Sequence, residues 1–113
     1  MKVVDEFLDG ALVLQAARHS DTRGWFSETW NSKLLSELGV NVDFVQDNMS
    51  SSLKNGTLRG LHFQSHPSAQ AKLVSCNRGK ILDVIVDFRK QSKSFTQWRS
   101  VVLSGGDLRS IFV

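Results

Sequence analysis

The chain has 113 residues, a formal net charge of +3 and a sequence pI near 9.4. Hydrophobic residues make up 41% and charged residues 22%, the balance of an ordinary globular protein, and a single domain over residues 1–113 is expected. No apolar run approaches the ~20 residues that span a bilayer, and acidic residues Asp5, Glu6 and Asp9 break up the N-terminus, so no membrane partner is expected and the cytoplasm is the expected compartment.

Taken in chain order, residues 11–17 form a β-like stretch. Residues 32–38 read as a short helix: Asn31 or Ser32 can cap it, Leu34, Leu35 and Leu38 give an apolar face, and Gly39 ends it. Phe44 and Val45 lead into a polar cluster, residues 46–52. Asn55-Gly56 is a tight-turn dipeptide, because both residues tolerate positive φ, and residues 57–64 are expected to follow as a strand. Residues 72–77 and 80–88 are expected to pair as a hairpin around Asn77-Arg78-Gly79. In the second of these, Ile81, Asp83, Ile85 and Asp87 share one face. Leu82, Val84, Val86 and Phe88 share the other, which is expected to be the core face. Residues 98–104 alternate again, Gly105-Gly106 turns the chain, and residues 108–113 start one more strand. Short strands at this spacing indicate an all-β sandwich or barrel. The lone Cys76 excludes an internal disulfide and reads as a small packing residue.

The fourteen Lys and Arg residues are scattered, with no basic run of five. That argues against a nucleic-acid partner and for a small anionic ligand met by a few convergent cations. Four clusters combine cations or amides with aromatics or glycine: residues 21–28, residues 46–50, residues 58–64 and residues 69–74. The guanidinium forks of Arg23 and Arg59 suit a pyrophosphate, and the adjacent Gly24 and Gly60 permit unusual backbone geometry. Strict alternation would put Arg59 and His62 on opposite faces of a strand; a bulge at Gly60 would bring both to one side. Gln46, Asp47 and Asn48 can hydrogen-bond a sugar or base, Phe26 can stack on a nucleobase, and Glu28 can accept from a ring N–H or a hydroxyl. Each has a plainer reading: solvated surface arginines, an aromatic packed in a core or interface, a histidine satisfied within a strand.

In order along the chain these clusters read Arg-Gly-Trp-Phe-Ser-Glu, Gln-Asp-Asn-Met-Ser, Arg-Gly-Leu-His-Phe-Gln and Ala-Gln-Ala-Lys-Leu-Val. After them comes Gly79-Lys-Ile-Leu-Asp-Val-Ile-Val-Asp-Phe-Arg89. Together, over roughly residues 19–104, they resemble the dTDP-4-dehydrorhamnose 3,5-epimerase family of the cupin superfamily. The resemblance implies an all-β cupin-like jelly roll or β-barrel, here incomplete, with one short helix. It implies a dTDP-4-keto-6-deoxy sugar as substrate and proton abstraction beside the 4-ketone. His62 would be the general base and Lys72 the cation that stabilises the enolate oxygen. Arg23, Phe26 and Glu28 would hold the nucleotide across a homodimer interface.

No cofactor is implied. Many cupins hold a metal with a His-x-His pair and a following Glu; here the strand has His62-Phe63-Gln64, so no metal site is expected. The family's pattern also runs on beyond Val113, through a "P-x-G-x-x-HGF" segment to a tyrosine acid and an aspartate that pairs with the histidine. The chain has no tyrosine. Impaired inversion is therefore expected, with Asp83 the one available substitute for the aspartate. A non-catalytic cupin that binds a nucleotide sugar or a subunit is the alternative.

Overall fold

The computed structural model describes all 113 residues, in eight strands and one helix. In chain order these are β1 (Lys2–Phe7), β2 (Ala11–Gln15), β3 (His19–Asp21), β4 (Gly24–Phe26), α1 (Ser32–Glu37), β5 (Leu73–Ser75), β6 (Lys80–Val86), β7 (Trp98–Ser104) and β8 (Arg109–Phe112). Every strand pairing is antiparallel. Four strands form one sheet in the order β1-β2-β8-β5; β3 pairs only with β4, and β6 only with β7. The assembly is all-β apart from α1, and its strands do not close into a barrel.

The core forms on both faces of β2. Successive strand side chains point to opposite faces. Ala11 and Val13 enter one cluster with Phe7, Leu103 and Ile111. Leu12 and Leu14 enter a second with Leu35 and Val40. The first cluster joins the four-stranded sheet to β6 and β7, since Ile85 and Val101 pack against it. The second is closed by α1. Asn31 caps that helix: its side-chain oxygen accepts from the Leu34 N–H at 3.2 Å, satisfying a donor that the first turn leaves open. Gly39, at φ +90°, lets the chain leave the helix so that Val40 folds back beneath it.

The expected hairpin between residues 72–77 and 80–88 does not form. β5 pairs with β8, and β6 pairs with β7. The reason lies in β5: Leu73 packs on one cluster and Val74 on the other. Such a strand needs cover on both faces, which only the four-stranded sheet supplies. The core face expected on β6 is also corrected. Ile85 packs inward, whereas Leu82 (65% exposed), Val84 and Phe88 lie on the open side. The more apolar face of β6 is thus the open one; the position of Leu103 and Ile111 draws in the face that carries Ile85.

Residues 57–64 are not a strand: they are exposed throughout, and no neighbour offers them a ladder. Gly60 sits at φ +107°, which interrupts any alternation from Arg59 to His62. β1 and the β3–β4 ribbon had no clear alternating pattern. β1 is an edge strand with only Phe7 buried, so its acidic residues were free to obscure it.

Candidate functional site

The β3–β4 ribbon carries the first cluster. Its register pairs His19 with Phe26, Ser20 with Trp25 and Asp21 with Gly24. The ribbon lines a shallow groove of about 350 Å³ that includes Arg23 and Phe26. Arg23 donates to Asp21 Oδ2 from Nη2 at 2.6 Å and from Nε at 3.1 Å. This bond, with the Arg23 backbone N–H, holds the Asp21 carboxyl below its usual range. The Arg23 side chain is 89% exposed, so the pair orients the guanidinium and contributes little to folding. Arg18 stacks over the Trp25 ring, 4.8 Å from its centroid, and donates to the Gly106 carbonyl, tying the ribbon to the β7–β8 turn. Phe26 is 70% exposed; it serves no core. Glu28 is exposed and makes no hydrogen bond within the chain.

The second and third clusters lie in residues 41–71, where nothing is buried. Gln46 Nε2 donates to Asn48 Oδ1 at 3.0 Å, and Asp47 between them is exposed. Arg59 donates to the Ser51 carbonyl and to Ser52 Oγ, all at 3.3 Å, so it leans back onto the segment that begins with Gln46. His62 is exposed, and its ring makes no hydrogen bond within the chain. Phe63 beside it meets Phe88, ring centroids 5.9 Å apart, which places this segment at the end of β6.

Lys72 is the best-anchored of the expected site residues. Its backbone N–H donates to the Val113 carbonyl at 2.7 Å, and its carbonyl accepts from the Val113 N–H at 2.9 Å, extending the β5–β8 ladder by one residue. Its ammonium donates to Gln64 Oε1 at 3.1 Å, to the Gln70 carbonyl at 2.9 Å and to Gln70 Oε1 at 2.8 Å. The structure thus joins the third and fourth clusters through Gln64 and Lys72. It joins Arg59 to Ser51 and Ser52, just past the second cluster. It makes no hydrogen bond between the ribbon bearing Arg23 and any of these.

Asp83 sits half-buried on the face of β6 that carries Ile85, and burial pushes its carboxyl up. Asp87, farther along, has a structural task. It is 4% exposed and accepts from Arg89 at 2.8–3.0 Å, from Ser92 Oγ at 2.5 Å and from Ser94 Oγ at 2.7 Å. Arg89 Nη2 also donates to the carbonyls of Leu8 and Asp9, so this network fastens the end of β6 to the β1–β2 turn. The Arg89 bond chiefly, with those of the serines, drives the Asp87 carboxyl far below the usual carboxylate range.

Asp21, Ser52, Gln64 and Gln70 were missed as partners of Arg23, Arg59 and Lys72. Asp21 could have been found from its spacing, two residues before Arg23 across a turn. The glutamines stand inside their clusters but carried no assigned task.

An open antiparallel β assembly with one short helix, with cations and amides on exposed segments outside its core, defines a cupin-like fold. The chain belongs to the dTDP-4-dehydrorhamnose 3,5-epimerase family, whose profile matches residues 6–113. It is 46% identical over 106 residues to the dTDP-4-dehydrorhamnose 3,5-epimerase of Methanothermobacter thermautotrophicus, covering 94% of this chain and 56% of that one. The Shigella flexneri enzyme is 43% identical and matches all of this chain against 62% of its own length. A crystal structure of the Bacillus anthracis epimerase with TDP and pyrophosphate bound is similar at a TM-score of 0.97 and 47% identity, over 99% of this chain and 64% of that one. The Legionella pneumophila enzyme, in complex with dTDP-4-keto-L-rhamnose, gives 0.90 and 41% over 99% and 59%. The chain therefore spans 56–62% of the length of the curated relatives described.

Proposed function

We propose that this chain binds a dTDP-4-keto-6-deoxy sugar and exchanges the proton on a carbon next to the 4-ketone. The observation that carries the reading is Lys72: a cation whose backbone is fixed by the β5–β8 ladder and whose ammonium lies beside the segment bearing His62. His62 takes the proton from carbon, the C–H electron pair moves into an enolate, and the Lys72 ammonium stabilises the developing oxyanion. Arg59 and Arg23 meet the diphosphate, Gln46, Asp47 and Asn48 hydrogen-bond the sugar or base, Phe26 stacks on the base and Glu28 accepts from it. Ligand-bound relatives at 41–47% identity support this class of ligand. Inversion also needs a proton delivered to the opposite face, and no residue of these 113 is assigned that step. One domain over residues 1–113, no metal or cofactor, a cytoplasmic setting and a homodimer complete the reading. No helix is long and apolar enough to cross a membrane. The exposed apolar side chains on β6 and β7, Leu82 and Trp98 among them, support a subunit contact.

The test is incubation with dTDP-4-keto-6-deoxyglucose in D₂O, followed by NMR. Deuterium uptake beside the ketone is expected, lost in His62→Asn. Net inversion should lag uptake by ~10²–10⁴-fold, the typical worth of general acid catalysis. Binding without any uptake would instead establish a non-catalytic nucleotide-sugar-binding protein.

A further inference from the structure

Lys72 differs from the chain's paired cations in what surrounds it. Arg23, Arg89, Arg99 and Arg109 are each paired with an aspartate. Lys72 is in no ion pair, and its ammonium is held by one backbone carbonyl and two neutral amide oxygens. An ammonium has three protons, so these three acceptors saturate it. Amide oxygens orient the N–H bonds without cancelling the charge. A carboxylate at the same distance would neutralise it and remove the field that a developing oxyanion needs.

Saturation has a second consequence. A ligand oxygen can reach a Lys72 proton only by displacing an acceptor already there. The Gln70 carbonyl lies only two residues from the anchored Lys72, and Gln70 makes two of the three bonds. Gln64 makes the longest bond, at 3.1 Å, and comes from a segment that no strand pairs with. We propose that Gln70 is a positioning residue that keeps the Lys72 ammonium aimed and un-neutralised, and that Gln64 is a placeholder displaced by the substrate's carbonyl oxygen. The proposal rests on the reading of Lys72 as the oxyanion-stabilising cation. It also gives Gln64, the residue that breaks a His-x-His pattern, a task of its own.

The experiment compares dTDP with dTDP-4-keto-6-deoxyglucose by calorimetry, and follows the Lys72 ammonium by ¹⁵N NMR. The ratio of the two dissociation constants isolates the keto-sugar's share of binding. Gln70→Glu is nearly isosteric and still accepts a hydrogen bond, so a merely structural tether would survive it. Under the proposal it lowers the keto-sugar preference about tenfold or more, the scale of one charge-assisted hydrogen bond, and spares dTDP. Gln64→Leu removes a competitor and should tighten keto-sugar binding roughly two- to tenfold, the range of one neutral hydrogen bond. The Lys72 resonance should move with the keto sugar and stay put with dTDP. An unchanged preference in Gln70→Glu, or a weakened one in Gln64→Leu, would overturn the proposal. If Lys72→Met also keeps the full preference, or neither ligand binds, the reading of Lys72 itself fails. If Lys72→Met loses the preference and Gln70→Glu does not, only the positioning proposal fails.

Discussion

Two regions of this chain are built on opposite plans. In the four-stranded sheet, β2 buries four consecutive residues, Ala11 to Leu14, between two apolar clusters. In residues 41–71 nothing is buried, Leu53 is 100% exposed, and three of the assigned clusters' key side chains, Asn48, Arg59 and His62, lie there. The sheet is held by area removed from water; the segment is held by short polar contacts such as Arg59 to Ser52 and Lys72 to Gln64. Stability and the proposed chemistry are therefore spatially separated, and they meet at Lys72, whose backbone is fixed by the ladder of one region and whose ammonium bonds to the other.

That separation is open to attack by substitution. Leu14 is fully buried, and Leu14→Ala should cost ~2–5 kcal/mol in urea unfolding, the span for a buried leucine truncated in a core. Next comes Asp87→Ala, which takes the carboxylate acceptor from the Ser92 and Ser94 hydroxyls and leaves Arg89 held only by the Leu8 and Asp9 carbonyls. A loss of ~1–3 kcal/mol is expected for such an unsatisfied network.

The same carboxylate sets an acid limit. Its folded pKa is depressed, so its stabilisation is fully present above the unfolded carboxylate value near ~4 and fades as pH falls below it. The urea midpoint of the wild type should therefore drop more steeply below pH 4 than that of Asp87→Asn. Parallel acid limbs would show that the network contributes nothing.

Gly105→Ala should cost ~1–3 kcal/mol, as for other overpacked sites. Its Cβ would fall 2.7 Å from Arg78 Cα, where the Gly105 N–H donates to the Gly79 carbonyl and closes the β6–β7 ladder. The smallest effect on folding belongs to the exposed segment: Leu53→Ala and Arg59→Ala should each stay within ~0.5 kcal/mol in unfolding. Arg59→Ala should nonetheless weaken dTDP binding by ~1.5–3 kcal/mol in calorimetry, the worth of a charged hydrogen bond. A stability loss at Leu53 comparable with that at Leu14 would erase the distinction between the two regions.

The legible parts of the fold were those whose signals are local. Asn31 and Gly39 bracket α1, Asn55-Gly56 and Gly105-Gly106 mark turns, and alternation marks β7. The cluster residues were proposed from side-chain chemistry alone, because guanidinium, imidazole and amide groups keep the same hydrogen-bonding capacity wherever they fall. What misled was partner choice. A glycine between two apolar runs suggested a hairpin, yet β5 and β6 went to different sheets. Residues 57–64 had a strand's composition but no ladder to join.

The sequence by itself determined the strand-rich class, the short helix and its caps, and the family, and it supplied the groups proposed to meet a diphosphate and a keto sugar. These follow from residue type and short-range spacing. Only the tertiary structure decided which face of β6 is covered, which strand β5 joins, that Asp87 serves the fold, and that Lys72 is held by amides rather than a carboxylate. Each of these depends on atoms far apart in the chain. A strand's hydrogen bonds and its cover come from neighbours, and its own residues carry no record of which neighbours those will be.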